Sequence, residues 1–557
     1  MIVKMRHLDL VCIASEKEAT LERLRELKVV HLDLSVAGGE ELSAAKGALA
    51  DAESAVRLIM KARVGREDEA NDARPRSVEE ILHIADDRAT LLEEKERLER
   101  EIKVYSPYGD FDPVLAQKLL DKGIEFGDKL PAKLPEMRLA KMQEKLARVQ
   151  NRININDSKL ASTDEKAILA AFTGLKDRMA FAAAKELIEV NGAVAFISGW
   201  IPESAVDKFK AEVAKRGWGA LLRDPADDEI PPTLVEPPKF FKPVKALFDG
   251  LGIAPAYTEA DVSVPFMCYF AIFFAMLVGD GAYGAIFLAA TLFGWKKFRS
   301  VASGPGKILM RSWLILMTVF SSATVVWGIL SNTWFGAQLP WCADWPTVKW
   351  LADPSYQNMM LLCFTIGVTH LMLARIWNGI CKINDLTCIA EFGWAGVLLF
   401  MYFVTNSIVG IFASIPSVMF WVFGVSLIAV FGFTVKPSEL KTRGAELGML
   451  PLNIMSALGD IISYVRLFAV GLASVKVAEN FNSMATGLLA GAEEWYLKAI
   501  MAVLMVAILV IGHGLNLAMA GLSILVHAVR LNTLEFSNHK GISWAGYAFK
   551  PFKKTKE

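Results

Sequence analysis

Residues 449–483 read MLPLNIMSALGDIISYVRLFAVGLASVKVAENFNS. A helix needs about 20 mostly apolar residues to cross a bilayer, and this run supplies more. Yet it also carries Asp460, Arg466, Lys476 and Glu479. Ionisable groups are costly inside a membrane and mark a pathway by default. Arg466 sits near the midpoint, too far from either surface to snorkel easily. Positions three, four and seven residues away share its helical face. They are Gly459, Ser463, Ala469, Val470 and Ala473, with Asn480 near the same face toward the outer end. That face is mostly small, so a second helix can approach closely. Neither Asp460 nor Glu479 stands three or four residues from Arg466, so a same-helix ion pair is geometrically poor.

A second long run, 497–531, holds His513, Asn516, Ser523, His527 and Arg530. Counting back from Arg530 by three, seven and fourteen gives His527, Ser523 and Asn516, a polar stripe on one helical face. Arg530 also admits a simpler reading, a terminal arginine that snorkels to the cytoplasmic surface. Both runs exceed about 30 residues, which implies strong tilt or extension beyond the bilayer.

Working outward, apolar runs recur at 264–295, 308–330, 356–375, 389–413 and 417–435. Basic clusters follow alternate runs: Lys296, Lys297, Arg299, Lys307 and Arg311; Arg375 and Lys382; Lys436, Lys441 and Arg443; Lys550, Lys553, Lys554 and Lys556. Basic loops stay in the cytoplasm. All four clusters fall on one side if 264–295 crosses twice, bent at Gly279-Asp280-Gly281. The expectation is eight passes with both termini inside. Residues 279–284 also match GxGxxG, but no strand precedes them, so a nucleotide site is excluded there.

The chain has 60 basic and 60 acidic residues, so net charge points to no nucleic-acid partner. Apolar residues make up 53% and charged ones 22%, a mixture that requires segregation. Charge is concentrated before Ile230. Met1 to Leu10 shows no apolar signal-peptide core, so residues 1–230 are expected in the cytoplasm. Within them, 1–35 reads strand (2–6), helix, strand (29–34), and 190–224 reads strand, helix, strand. Together these predict one ferredoxin-like α/β lobe. Helical arms at 40–104 and 136–190 predict an antiparallel coiled-coil hairpin, with a tip at 105–135 broken by prolines and glycines; a solvated helical bundle is the plainer alternative. Residues 231–263 read as a Pro-rich linker and 264–557 as the membrane domain. The six cysteines, including Cys342, show no metal or disulfide spacing, and no cofactor is expected.

These features together resemble a known family, the membrane stator subunit of rotary V-type and archaeal-type ATPases, called subunit a or subunit I. The segments that carry the resemblance are Phe196-Ile197-Ser198-Gly199-Trp200-Ile201-Pro202-Glu203, Pro231 through Asp261, Phe273 through Gly284, Ser463-Tyr464-Val465-Arg466-Leu467-Phe468-Ala469, Leu522 through Leu531, and Tyr547 to Phe552. The likeness implies a stator in a bacterial inner membrane. Arg466, with Arg530 beside it, would face a ring of proteolipid c subunits and force each passing carboxylate to release its ion between two offset half-channels. Asp460 would lie toward the cytoplasm and Glu479 toward the outside, with Ser463, Ser523, His527 and Asn516 as polar lining. Partners would be the c-ring, the peripheral stalk and the ATPase head. The chain departs from eukaryotic members at Ala520 and Ser474, where they carry a glutamate and a histidine. The tip is also shorter than the second lobe that docks stalks in relatives. A stand-alone secondary transporter predicts inverted repeats, and none is visible. A scaffold leaves Arg466 unexplained.

Overall fold

The computed structural model describes residues 2–33, 39–63, 74–124, 131, 133–298, 305–340, 344–351, 356–435, 440–490 and 495–555. Arg299, Cys342, Lys436, Lys556 and the end of the strand expected at 29–34 lie outside the described residues, as do the side chains of Lys307, Lys441 and Arg443. The fold is mainly helical, with one small antiparallel sheet, and it divides into two compact units. One comprises Arg6–Asp224 with Lys550–Glu557, the other Met1–Met5 with Pro225–Phe549.

In the first unit, β1 (Met5–Ile13), β2 (Glu189–Asn191), β3 (Val194–Pro202) and β4 (Gly219–Arg223) form a sheet in the order β2-β3-β1-β4. β1 pairs antiparallel with β4, from His7 opposite Arg223 to Val11 opposite Gly219. β2 and β3 form a hairpin turned at Gly192, whose φ of 63° suits glycine. Side chains alternate along a strand, so Leu8, Leu10, Cys12, Ala195 and Ile197 all point to one face. Helices α1 (Lys17–Leu27) and α7 (Val206–Arg216) cover that face with Leu21, Leu24, Val206 and Phe209.

The sheet corrects two expectations. The first strand is longer and later than 2–6, because Ile2 pairs instead with Val235. The strand expected at 29–34 shrinks to one bridge, His31 with Trp200. The reason is that one edge of β3 serves two partners: β2 takes Val194 to Phe196, which leaves only the far end for His31. Gly199 permits that approach, since a Cβ there would lie 2.7 Å from the His31 carbonyl oxygen. The carboxyl tail joins this unit. The Phe552 N–H donates to the Val30 carbonyl (2.7 Å), and Lys550 N lies 3.0 Å from His31 Nδ1.

Four long helices extend the unit: α2 (Glu40–Arg63), α3 (Val78–Tyr105), α5 (Leu139–Ala161) and α6 (Glu165–Glu186). Lys145 pairs with Glu94 (2.6 Å) and Arg88 with Asp157, so partner numbers fall as α3 runs outward and α5 returns antiparallel. Leu91, Leu98, Val149 and Ile153 fill the seam between them. Ala55, Ile59, Ile81, Leu160 and Ile168 fill a second cluster nearer the sheet end of the helices. At the tip, α4 (Pro113–Leu120) is capped by Asp112, whose carboxylate accepts from Val114 N–H and also pairs with Arg138.

The second unit holds the apolar helices. Residues 231–263 are ordered: Thr233 exchanges backbone hydrogen bonds with Tyr547 and Phe549 (2.8 and 2.9 Å), and α8 (Val244–Leu251) buries Val244, Leu247 and Phe248 in the main core. Then follow α9 (Ser263–Val278), α10 (Gly281–Phe298), α11 (Pro305–Ser331), α12 (Pro346–Leu351), α13 (Gln357–Cys381), α14 (Thr387–Ile408), α15 (Ser417–Phe433), α16 (Leu440–Ile462), α17 (Val465–Ala490), α18 (Trp495–Ser523) and a short α19 (Ser537–Lys540). Among the described residues, five helical stretches are long and apolar enough to span a bilayer: Leu309–Ser331, Gln357–Cys381, Thr387–Ile408, Leu447–Leu488 and Trp495–Lys540. Ser263–Val278 and Ser417–Phe433 are apolar but shorter. This is a membrane protein.

The bend at 279–281 has a local cause. Gly279, at φ 71°, ends α9. Asp280 then caps α10 by accepting from Ala282 N–H and also accepts from Gly336 N–H, each at 2.8 Å. α9 is buried along most of its length, in the middle of the unit.

Candidate functional site

Residues 449–483 do not form one continuous helix. The run breaks at Ser463 and Tyr464, between α16 and α17, where Tyr464, Arg466 and Leu467 N–H groups bond three residues back instead of four. Tyr464 anchors the break. Its ring is fully buried, and its hydroxyl meets His370 Nδ1 of α13 at 2.8 Å. Arg466 therefore stands in the first turn of a new helix, and its Nε donates to the Ser463 carbonyl at 2.8 Å.

The partner of Arg466 is a residue that helical counting did not find. Its Nη2 pairs with Glu535 Oε1, and Arg530 Nε lies 3.5 Å from that same oxygen. The chain after α18 is π-helical over Ile524–Ala528 and again over Leu531–Phe536. In an α-helix, residues five apart point well away from each other; the wider π turn, closed by i→i+5 bonds, brings them near the same face. Arg530 and Glu535 meet for that reason. The Glu535 side chain is only 5% exposed, against 20% for Arg466 and 55% for Arg530. Its Oε2 is buried with no hydrogen-bond partner among the described residues.

The π turns also break the expected polar stripe. Asn516 is buried and turned inward, donating to the Ser474 carbonyl (2.8 Å) and to the Tyr283 hydroxyl (3.0 Å). His513 and Asn482 extend this knot through contacts of 2.7 Å from His513 Nδ1 to the Tyr283 hydroxyl and 3.1 Å from Nε2 to Asn482. Ser523 and His527 are half-buried, and His527 Nδ1 has no partner among the described residues. The stripe fails because it assumes 100° per residue through a segment that turns less.

The face of Arg466 is uncovered. Gly459, Ala469 and Ala473 are exposed, and Ser463 is half-buried. The opposite face packs tightly: a Cβ on Gly471 would lie 2.4 Å from the Met276 carbonyl oxygen of α9. Along α18 and its continuation, Val503, Val510, Leu515, Leu522 and Leu525 are also exposed.

Two cavities flank Arg466 along its helices, and neither includes it. One, of about 510 Å³, is lined by Asn453, Ser456, Asp460, Arg375, Trp394 and His539. There His539 Nε2 contacts Asp460 at 3.0 Å and Arg375 Nε donates to His539 Nδ1 at 3.1 Å, which leaves the ring proton on Nε2. Arg375 and Lys382 share Glu391, at 3.1 and 2.6 Å. The other cavity, of about 320 Å³, is lined by Met276, Trp327, Tyr356, Gly471, Lys476 and Glu479. Glu479 pairs with Lys476 at 2.7 Å and not with Arg466. Asp460 precedes Arg466 by six residues and Glu479 follows by thirteen, about 9 and 20 Å of helix. The described residues contain no cluster of three or more His, Cys, Asp or Glu able to hold a metal.

Glu535, His539 and Glu391 were missed in the sequence because each is defined by a partner on another helix. In the sequence Arg375 marks only the end of an apolar run; its contacts with Glu391 and His539 come from packing.

No protein-family model matches the chain. It is 32% identical to V-type ATP synthase subunit I of Borreliella burgdorferi over 65% of this chain, and spans 60% of that relative's length. It is 26% identical to V-type ATP synthase subunit I 1 of Treponema pallidum over 99% of this chain and the whole of that protein. A-type ATP synthase subunit I of Methanocaldococcus jannaschii is 24% identical, over 76% of this chain and 64% of its own. With curated relatives called subunit I of V-type or A-type ATP synthases in bacteria and an archaeon, one of them matched along its whole length, the chain is a homologue of the V-type and A-type ATP synthase subunit I proteins.

Proposed function

We propose that this chain is the membrane stator of a rotary V/A-type ATPase or ATP synthase. It crosses a bacterial plasma membrane eight times, α9 and α10 each forming one pass, with both termini in the cytoplasm. Those two helices have 16 and 18 residues, about 24 and 27 Å, slightly short of the about 30 Å hydrocarbon core. The central position of α9 in the unit accommodates such a short pass. The helical arms α2, α3, α5 and α6 carry the link to the peripheral stalk.

The observation that carries the reading is the placement of Arg466. It lies on an uncovered small-residue face, with a second arginine beside it and a polar cavity on either side along the helix axis. A fixed cation in a low-dielectric setting favours the ionised form of a facing carboxylate. A proteolipid ring presenting one acid per subunit would lose its ion as each acid reaches Arg466 and Arg530. The cavity at Asp460 and His539 serves one side of the membrane and the cavity at Lys476 and Glu479 the other. Because Arg466 separates them, an ion entering one must ride the ring to leave by the other. Ser463 fixes the guanidinium through its carbonyl. His527 and Ser523 border the ring face, and Asn516 braces α17 against α18 from inside.

Arg466→Ala is expected to leave the complex assembled and to abolish coupled ion transport in reconstituted vesicles. Transport at the wild-type rate by that variant would refute the assignment.

A further inference from the structure

Two guanidinium groups and one carboxylate make a site with one unbalanced positive charge. Arg466 and Arg530 both approach Glu535 Oε1, which is buried, while Oε2 has no partner among the described residues. We infer that Glu535 is the resident counter-charge of the arginine pair, a positioning residue that sets the site's net charge at +1 and holds Arg466 between encounters with a mobile carboxylate. The inference rests on the stator reading above.

The physical argument is one of balance. An unpaired charge inside a membrane protein is costly, and a site of net +1 is neutralised by one arriving carboxylate. At net +2 the site would hold that carboxylate ionised too strongly, and reloading its ion would require a higher ion concentration. At net zero the site would discharge it poorly. The shared oxygen allows a hand-over. When Arg466 turns to the arriving acid, Arg530, which caps the π-helical segment that carries Glu535, still faces the carboxylate, so Glu535 is never left without a cation. The other nearby acids have partners of their own: Asp460 accepts a hydrogen bond from His539, and Glu479 is paired with Lys476. Glu535 is therefore the group through which a charge change reaches the arginines directly.

The test uses the intact complex, with ring and head, in sealed vesicles. ATP-driven transport is measured against the concentration of the transported ion. Glu535→Gln is expected to raise the half-saturating ion concentration at least about tenfold, since a nearby unit charge shifts such a group by about one unit or more. The double variant Arg530→Gln with Glu535→Gln restores net +1 and is expected to return the half-saturation toward wild type. An unchanged half-saturation in Glu535→Gln, or a lower maximal rate that the double variant does not rescue, would overturn the inference and leave a merely structural glutamate. If the single variant does not assemble, Arg530→Gln alone decides: its net charge of zero lowers the half-saturation, and no shift overturns the proposal. Coupled transport by Arg466→Ala would instead sink the stator reading itself. A dead Arg466→Ala beside an unshifted Glu535→Gln sinks only the role of Glu535.

Discussion

Gly471 is where the α17 backbone comes close against that of α9, and replacing it by alanine should push the two helices apart. A Cβ there would sit 2.4 Å from Met276 O and 3.5 Å from Met276 C, both backbone atoms that no side-chain rotation can move. Relief needs a shift of about 1 Å to reach ordinary contact. Overpacking of this kind costs about 1–3 kcal/mol. Alanine also favours helix by up to about 1 kcal/mol over glycine, so the raw change in stability understates the clash. Gly514 supplies the control. It lies within α18 with nothing inside 4 Å of a built Cβ, so Gly514→Ala carries the propensity gain alone. The two variants should therefore differ by about 1–3 kcal/mol. The assay is equilibrium unfolding of the purified protein in mild detergent, titrated with a denaturing detergent and followed by circular dichroism. Because Arg466 lies five residues from Gly471 on α17, the same displacement should lower coupled transport, as misplacement by about 1 Å can cost up to about a hundredfold. Equal stability of the two variants would refute the packing argument.

Three further outcomes follow from particular contacts. Leu98, 1% exposed in the seam of α3 and α5, should cost about 2–5 kcal/mol of local stability as Leu98→Ala, seen as faster amide exchange in those two helices and unchanged exchange in α13 and α14. Burial depresses the basicity of His31, and the Lys550 backbone opposes this only in part. The unfolded state therefore binds the extra proton first. Tail docking should be full above about pH 6.5 and weaken as pH falls below it, read as exchange of the Phe552 amide; stronger protection at lower pH would contradict the sign. Cys381 is exposed at the end of α13, beside Lys382. In a variant keeping it as the sole cysteine, an impermeant thiol reagent should label it from the cytoplasmic side, and labelling only from the opposite side would contradict the eight-pass arrangement.

Much of this molecule is written in its periodicities. Apolar runs placed the membrane helices, and Gly279-Asp280-Gly281 announced a break because glycine ends a helix and aspartate starts the next. The alternation in β1 and β3, the three- and four-residue spacing in α3 and α5, and the cost of Arg466 in an apolar run were all local signals. Local signals fail where the backbone departs from its ideal repeat. The break at Ser463 and the π turns after Ser523 each change the helical phase between the residues on their two sides, which is why a stripe counted back from Arg530 does not hold as far as Asn516.

The amino-acid sequence by itself determined that a charged half precedes an apolar helical half, and that Arg466 and Arg530 are the charges needing explanation. Only the tertiary structure decided what surrounds them. Glu535 reaches Arg466 across 69 residues of chain, and His539 reaches Asp460 across 79. The division has a physical cause. Hydrophobic patterning and ideal helical phase are set by neighbours within a few residues, whereas an ion pair between helices depends on how they pack and on the wider turn of a π-helical segment.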